Sequence, residues 1–499
     1  MKKRLKILIL TLIGCLIIVG ILSVFINKSK ATDTDEITIM APLNGISEPQ
    51  KDNKIEVGIK ELTGENIKII WIPEDSYKEK TMAMMASGEF PDILVSENET
   101  EDIVKGVEQG GFWNIGSYLK DYPNLSNADE SILKNSSFNG ENYGIYRYKN
   151  PIDNCILLRK DWMEKLNIKN PTTIDEFTEI LKKFTYDDPD GNGVNDTYGL
   201  SIPGSDYNTF NSLIEQIAAW FGAPNKWKDE NGELKPSFMT EEYKKSLDYI
   251  KKLYDEKLID PKFHTKNTSD IQENFKNNQL GVIMCKKADA LKLENVLSAK
   301  NENNSNLITA ISGIKGNNEG KILTSSGYSG MLMFPKRGIK TEDRLKRVLN
   351  FVDKLNSKEM YMLLNYGVEG ENYTIENSNI KTIENISNYN LLSYSEIRTN
   401  CRKENIFSDN KKQFINELNA ATEIPEKDKA INIAEPLKIQ GHVQNQNKLQ
   451  ETIEELNAKY IFGEIDNSEY EKGINDWLDN GGEDYIQKVN ELYNKYLNK

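Results

Sequence analysis

Three strand-like segments alternate with two helix-like segments near the start of the chain. In order, the five segments span residues 36–40, 48–62, 66–72, 76–87 and 92–96. Both helix-like segments are followed by glycine, a residue that commonly ends a helix. This alternation at short spacing predicts a parallel sheet covered by helices. Ligands of such sheets bind beyond the carboxyl ends of the strands, and Glu97 follows the third strand-like segment at such an end.

The rest of the chain predicts further globular structure that is rich in helix. A chain of 499 residues exceeds one compact core, so we expect at least two lobes. Apolar residues recur at helical spacing, as in Ile174, Phe177, Leu181 and Phe184, and again in Leu449, Ile453, Leu456 and Tyr460. Capping boxes of Thr173 with Glu176 and of Ser468 with Glu471 predict two helix starts. The predicted fold class is therefore α/β.

Charge and residue counts argue against several classes of function. The net charge is −14 and no long basic run occurs beyond the N-terminus, which argues against a nucleic-acid partner. The 2 histidines, His264 and His442, are far apart, so zinc hydrolysis and histidine-based catalysis are poorly supported. The 4 cysteines lack CxxC spacing: Cys15 lies in the apolar N-terminal run, and buried free thiols are predicted for Cys155, Cys285 and Cys401.

The N-terminus predicts export from the cytoplasm. A basic start, residues 1–4, precedes an uncharged and mostly apolar run from Ile7 to Ile26, long enough to cross a bilayer. Residues 12–15 resemble a lipoprotein cleavage box that would lipidate Cys15, although apolar residues follow it. Residues 29–31 also fit a signal-peptidase site. Residues 1–31 are therefore predicted to be a signal peptide or an N-terminal anchor. Three alternatives stay open: an uncleaved helix, a lipid on Cys15, or cleavage after Ala31. All three place residues 32–499 outside the cytoplasm.

Residues 188–196 predict a calcium loop. Side-chain oxygens and one carbonyl recur at the spacing of an EF-hand loop, and Gly193 stands at its turn position. The predicted ligands are Asp188, Asp190, Asn192, the carbonyl of Val194, and Asp196. The usual glutamate at position 12 is replaced by Gly199, so another carboxylate or water would complete the shell. No flanking EF-hand helix pair is evident, which predicts a structural ion; the alternative is a metal-free solvent turn.

Five stretches together resemble the extracellular solute-binding proteins, family 1, of bacterial carbohydrate ABC transporters, of the alginate- and oligosaccharide-binding lipoprotein type. They are residues 84–93 (MMASGEFPDI), 158–166 (LRKDWMEKL) with 171–173 (PTT), the calcium-like loop with 197–200 (TYGL), 221–224 (FGAP) through 258–261 (LIDP), and 364–373 (LNYGVEGENY). The resemblance rests on the order and spacing of these stretches, and it covers nearly all of the exported residues 32–499.

The resemblance implies a two-lobe α/β protein with a hinged cleft and a helix-rich second lobe. It implies a first lobe from residues 32–150 and 291–360, and a second lobe from residues 151–290, with the calcium loop, and 361–499. Some members of the family carry an additional glutamate where this chain has Thr197, which implies weaker calcium binding. We expect a monomer, tethered to the outer face of the membrane by an N-terminal helix or lipid, that passes its ligand to permease subunits.

A sugar site needs aromatic rings that stack on apolar sugar faces, and polar groups that bind hydroxyls. The predicted ligand-binding residues lie near the expected lobe junctions: Glu97, Tyr146, Arg147, Trp220, Trp227, Tyr328, Tyr366 and Glu369. Tyr146 stands where the family commonly has proline. The alternative for each aromatic side chain is core packing, and Tyr366 with Glu369 could equally form a rigid hinge corner.

The leading functional hypothesis is reversible binding of an oligosaccharide for import. A peptide ligand or a sensory role on the same fold stays open. A glycosidase or polysaccharide lyase with paired carboxylates is the enzymatic alternative, but no acidic pair stands in a recognisable catalytic motif. We therefore expect a binding protein and not an enzyme.

Overall fold

The computed structural model describes residues 36–45, 47–205, 207–299, 307–314, 320–376, 379–383, 388–399, 412–439 and 446–498. The predicted N-terminal anchor, with Cys15, lies outside these residues, and so does Cys401. Within the described residues, none of the helices is both long enough and apolar enough to span a membrane.

Strands and helices are distributed along the whole described chain. The strands are β1 Glu36–Leu43, β2 Asn66–Pro73, β3 Ile93–Ser96, β4 Gly144–Tyr148, β5 Asn154–Arg159, β6 Tyr198–Leu200, β7 Trp227–Glu230, β8 Glu233–Pro236, β9 Leu280–Lys286, β10 Ile308–Ile311, β11 Ile322–Leu323, β12 Tyr328–Met333, β13 Tyr373–Glu376, β14 Asn379–Thr382 and β15 Lys429–Ala430. The longer helices are Lys54–Thr63, Glu74–Ser87, Glu101–Glu108, Ile174–Tyr186, Tyr207–Trp220, Glu241–Asp255, Thr268–Lys276, Lys287–Ala299, Glu342–Leu355, Lys358–Tyr366, Lys412–Thr422, Gln446–Phe462, Asn467–Trp477 and Glu483–Tyr496. Shorter helices are Glu130–Asn135, Lys160–Lys165 and Asn388–Tyr394.

The first sheet has the order β2-β1-β3-β12-β4 and confirms the predicted strand–helix alternation. β1 is parallel to both β2 and β3, and β12 joins antiparallel to β3 and β4. The first helix begins at Lys54, later than the predicted residue 48, because the Asn53 side chain accepts hydrogen bonds from the amides of Ile55 and Glu56. It ends at Gly64, whose φ is +75°.

The second sheet has the order β10-β5-β9-β6, with β9 antiparallel to β5 and parallel to β6. The helix Ile174–Tyr186 packs against β9, and its side chains Leu181 and Phe184 are fully buried. Gly281 permits this close approach, since a Cβ at that position would lie 2.1 Å from the Phe184 ring. The predicted apolar stripe and the predicted short strand therefore share one core.

The chain passes from one sheet to the other after β4, at residues 149–153, and again before β12, at residues 324–327. Hydrogen bonds join these crossings: the amide of Ser325 donates to the carbonyl of Pro151 at 2.8 Å. β11 pairs in parallel with β15, which belongs to a third segment beside them. The side chain of Asn225 donates to the carbonyls of Thr324 (2.8 Å) and Ala430 (3.0 Å), so one buried amide connects β15 and the residue that follows β11 to the second lobe. The predicted hinged two-lobe architecture thus has a compact junction.

Two contacts bear on the predicted lobe boundaries. β10 lies beyond the predicted end of the second lobe at residue 290, yet it pairs with β5. Leu364 and Tyr394 lie in the predicted second-lobe segment 361–499, but they pack in a core of the first sheet. We therefore propose that the chain returns to the first lobe near residue 324 and stays there to about residue 399.

Candidate functional site

A cleft of about 400 Å³ lies at the junction of the two lobes. Lys149 and Asn135 reach it from the first lobe, and Asn154 and Lys286 from facing ends of β5 and β9. Further lining residues are Pro151, Asp153, Ser212, Glu215, Gln216, Asn225, Lys226, Leu323, Thr324, Ser325, Ser326, Asn432 and Glu435. The lining is mainly amide, hydroxyl and charged, and no aromatic ring is among these described residues. This surface is suited to a ligand with many hydroxyl groups or with charge.

The carboxyl edge of the first sheet carries a second polar group of side chains. Arg147 at the end of β4 forms an ion pair with Glu396, with 2.6 Å between the guanidinium and carboxylate atoms. The side chain of Asn44, just after β1, donates to the other oxygen of Glu396 at 2.5 Å. The Nε atom of Arg147 is buried and has no hydrogen-bond partner among the described residues. Glu97 follows β3 at the same edge, as the topology predicts.

The two carboxylates of this edge are harder to ionise than ordinary glutamates. Burial raises the pKa of Glu396, and this outweighs the ion pair with Arg147 and the hydrogen bond from Asn44. Burial, the charge of Glu396 and the charge of Glu74 raise the pKa of Glu97, and Arg147 offsets part of this. The guanidinium of Arg147 therefore acts on both glutamates: it pairs with Glu396 and offsets part of the raised pKa of Glu97.

Three cleft residues show local features that sequence reasoning missed. Lys226 has a left-handed backbone, with φ of +63°, and its ammonium lies 2.5 Å from the Glu215 carboxylate. The side-chain amide nitrogen of Gln216 is buried and has no hydrogen-bond partner among the described residues. Strained or unpartnered groups cluster at functional sites. No sequence signal marks these positions, because their role depends on a junction of distant segments.

Two predicted aromatic residues lie in cores and not in the cleft lining. Tyr146 is 1% exposed, and its hydroxyl accepts a hydrogen bond from the amide of Asp129 at 2.8 Å. Trp220 is 3% exposed and packs edge-to-face on Phe177, with 5.5 Å between ring centroids. Both rings therefore pack in the hydrophobic core, which was the alternative to ligand binding for each of them.

Two further predicted aromatic residues are also buried. Trp227 packs against Tyr485, with 5.6 Å between ring centroids, in a smaller pocket of the second lobe. The Tyr328 hydroxyl accepts a hydrogen bond from the ammonium of Lys438 at 2.6 Å. Burial therefore leaves neither ring as an open stacking face in the cleft.

Tyr366 and Glu369 lie at a corner of the first lobe. Tyr366 is half-buried between Tyr361 and Tyr373, with ring centroids 6.2 and 6.0 Å away. Glu369 is exposed beside the hairpin of β13 and β14. Neither residue is among those that line the cleft. The arrangement fits the rigid corner that was the alternative for these two residues.

The predicted calcium loop is folded around its own side chains. The carboxylate of Asp188 accepts from the amides of Gly191 and Gly193 at 3.0 and 3.1 Å. The side-chain amide of Asn192 donates to Asp190 (2.9 Å) and Asp196 (3.2 Å) and so joins these side chains. Among the described residues, no group of three or more acidic, histidine or cysteine side chains is arranged to hold a metal ion.

The electrostatics of the loop favour a nearby positive charge. Partial burial and the charges of Asp196 and Asp188 raise the pKa of Asp190. Burial also acts to raise the pKa of Asp188, but bonds from the Gly193 amide and from Asp190 outweigh it and lower that pKa. Thr197 is buried and donates to the carbonyl of Phe184, so its hydroxyl is directed away from the loop. The amides of Gly191 and Gly193 therefore satisfy Asp188, and the Asn192 amide joins Asp190 to Asp196.

Comparisons with known proteins identify the family. A family model described as bacterial extracellular solute-binding protein matches residues 47–362. Lipoprotein LipO of Bacillus subtilis is 36% identical over 473 residues, 94% of each chain. The polygalacturonan/rhamnogalacturonan-binding protein YtcQ of the same organism is 32% identical over 461 residues, 89% of each chain.

A solved structure shares the fold. The extracellular solute-binding protein of Bifidobacterium longum subsp. infantis has a TM-score of 0.72 at 17% identity, covering 94% of this chain and 99% of that one. The two-lobe α/β architecture predicted from the sequence is therefore confirmed. The chain belongs to the bacterial extracellular solute-binding protein family.

Proposed function

We propose that this protein captures an oligosaccharide in the cleft between its lobes, outside the cytoplasm, and passes it to the permease of an ABC transporter. The observation that carries the proposal is the cleft itself, where polar ends of β5 and β9 face crossing segments rich in hydroxyl and amide groups. Groups of this kind recognise sugar hydroxyls. We further propose that the protein acts as a monomer.

Two lysines of the cleft favour sugars that carry carboxylates. The lining as a whole is balanced, with Lys149, Lys226 and Lys286 matched by Asp153, Glu215 and Glu435. Lys149 and Lys286 are exposed, and no carboxylate lies within ion-pair distance of either among the described residues. Lys226 is already paired with Glu215. The relative YtcQ is named for binding polygalacturonan and rhamnogalacturonan. We therefore propose oligomers of galacturonic acid as the first ligands to test.

Calorimetry of the full chain against oligogalacturonates, neutral oligosaccharides and peptides tests this proposal. Lys286→Gln should weaken oligogalacturonate binding about tenfold or more, since a charge-assisted hydrogen bond contributes about 1.5–3 kcal/mol. Neutral oligosaccharides should be unaffected. The matched control is Lys472→Gln, an exposed lysine on the helix Asn467–Trp477. Binding of peptides alone would overturn the carbohydrate proposal, and tight binding of neutral sugars alone would overturn the acidic ligand class.

We also propose that the loop of residues 188–196 binds a structural calcium ion through Asp188, Asp190, Asn192, Asp196 and the Val194 carbonyl. A solved structure that shares this fold is of an EF-hand mutant of FusA from Streptococcus pneumoniae. Saturation at 100 times the dissociation constant would stabilise the fold by about 2.7 kcal/mol. Chelator should therefore lower the melting temperature, and Asp190→Asn should remove most of that difference. An unchanged melting curve, with no calcium by elemental analysis, would disprove the site.

Tethering to the membrane through the N-terminus completes the proposal. Both a helix over residues 7–26 and a lipid on Cys15 fit the sequence. Cys15→Ser separates them by lipid labelling and by mass: a lipoprotein loses its lipid and its cleavage, whereas a protein held by its helix changes mass only by the substitution. Both variants keep residues 7–26 and stay with the membrane fraction. Recovery of the unaltered protein entirely in the culture medium would contradict both.

A further inference from the structure

Two buried cysteines face each other across the second sheet. Cys155 on β5 and Cys285 on β9 are directly opposite in the antiparallel register. Both are free and almost fully buried, at 2% and 8% exposure. The Cys155 thiol donates to the carbonyl of Cys285 with 3.6 Å between sulfur and oxygen. Separate stretches of sequence, 130 positions apart, thus supply one thiol pair.

The register meets the distance requirement of a disulfide. Directly opposite residues in an antiparallel ladder have Cα atoms about 4.5 or about 5.5 Å apart. A disulfide spans Cα separations of about 4.4–6.8 Å. Both types of opposite pair fall in this range, so rotation of the two side chains could bring the sulfur atoms together without a change in strand pairing.

We infer that Cys155 and Cys285 are an oxidisable pair that closes a cross-strand disulfide between β5 and β9 when the exported chain meets a low-molecular-weight disulfide. One cysteine thiolate attacks the disulfide RSSR, forms a mixed disulfide and releases one thiol, RSH, after protonation. The second cysteine attacks the mixed disulfide and releases a second RSH. The two cysteines are oxidised and RSSR is reduced to two thiols.

The compartment and the surroundings set when this link forms. Disulfides persist outside the cytoplasm, where this family functions. A hydrogen bond with Cys155, together with burial, raises the pKa of Cys285 well above its usual range. Because the thiolate is the attacking species, the pair reacts slowly once the sheet is formed. The link therefore forms mainly while the exported chain folds.

The link would hold together the part of the second sheet that faces the cleft. Asn154 and Lys286, the next opposed pair along β5 and β9, both line the cleft. The closed loop would contain the calcium-like loop and the helix Tyr207–Trp220. Closing a loop of this length removes much of the freedom of the unfolded chain, so oxidation should stabilise the lobe.

The test uses the full chain in a Cys15→Ser/Cys401→Ser background, which leaves only the two facing thiols. The protein is refolded with oxidised glutathione or with a reductant, then unfolded and alkylated with iodoacetamide. After oxidation we expect no alkylation and a mass lower by two hydrogens. The melting temperature should rise by about 5 °C or more, reversibly with reductant.

Adding Cys155→Ala to that background is the matched control. Its single remaining thiol should be alkylated or carry glutathione, and its melting temperature should not rise. Alkylation of both thiols in the background variant, or glutathione on each, would overturn the inference. If the background variant does not fold, peptide mapping of the unaltered chain without reductant decides: a peptide linking Cys155 to Cys285 supports the pair, and its absence after oxidative refolding refutes it.

Discussion

At the scale of single residues, the first lobe places charge where water is largely excluded. The side chains of Arg147 and Glu396 are 14% and 8% exposed, yet they form an ion pair. Such a pair gains Coulomb energy but loses hydration. The pKa of Glu396 is raised because the loss of hydration outweighs the stabilisation that Arg147 and Asn44 give to the charged carboxylate. A ligand group that satisfies the free Nε of Arg147 would stabilise this edge.

The pH dependence of stability should report the buried carboxylate Glu396. Because its folded pKa lies above 4.5, the folded state binds its proton more tightly, and this contribution is fully present below about pH 4.5 and lost as pH rises through the folded pKa. The melting temperature of the unaltered protein should therefore fall more steeply from about pH 4.5 towards 7 than that of Glu396→Gln. Glu89→Gln, at an exposed site, controls for the lost charge. Equal slopes for the unaltered protein and Glu396→Gln would contradict this account.

The aromatic residues show why side-chain roles were harder to predict than strands. Tyr146 and Tyr328 were predicted as ligand-binding residues, but both rings are buried in one core cluster. Which face of β4 or β12 meets the core depends on packing against helices distant in sequence. Conversely, Glu97 was predicted from topology alone, because strand ends in a parallel sheet share an edge. No sequence signal marked Glu396, whose charge raises the pKa of Glu97.

At the scale of elements, local side-chain chemistry decides where helices begin. The capping box of Thr173 and Glu176 is confirmed: the Thr173 hydroxyl accepts from the Glu176 amide, and Glu176 accepts from the amide of Thr173. The second predicted box, Ser468 with Glu471, is wrong. Asp466 and Glu469 form the box instead, two residues earlier, because an aspartate accepts the N3 amide equally well.

A pair of substitutions separates the two helix starts. Thr173→Ala should lower the free energy of unfolding by about 1 kcal/mol, since it removes a cap. Ser468→Ala should change it by about 0.5 kcal/mol or less, because Ser468 is exposed within the first turn. Denaturant unfolding measures both values. Equal losses would contradict a stabilising role that is specific to the Thr173 cap.

At the scale of the whole molecule, a few buried contacts at the junction determine how the two lobes are joined. Asn225 is 6% exposed and donates to the carbonyl of Ala430 in β15 and to that of Thr324, directly after β11. The hydroxyl of Thr324 also donates to the carbonyl of Ala430, at 2.9 Å. Hinged binding proteins close on their ligand by small changes in such segments.

Substitution of Asn225 should therefore affect both stability and binding. Asn225→Ala removes two buried hydrogen bonds and should cost about 1–3 kcal/mol of unfolding free energy. It should also weaken ligand binding, because the junction is less well defined. Asn225→Asp should be worse than the alanine variant, since it places a carboxylate against two carbonyl oxygens. Denaturant unfolding and calorimetry measure these effects, and a harmless aspartate would contradict the donor role.

The sequence by itself determined the parallel start of the first sheet, the core stripe of the helix Ile174–Tyr186, its cap, and the family. These features depend on residues within a few positions of one another, or on motifs whose order survives divergence. Tertiary structure alone decided that β12 and β10 join different sheets, that Arg147 meets Glu396, and that Cys155 faces Cys285. Each of these pairings joins segments far apart in the chain, and periodicity along one segment carries no information about which distant segment packs beside it.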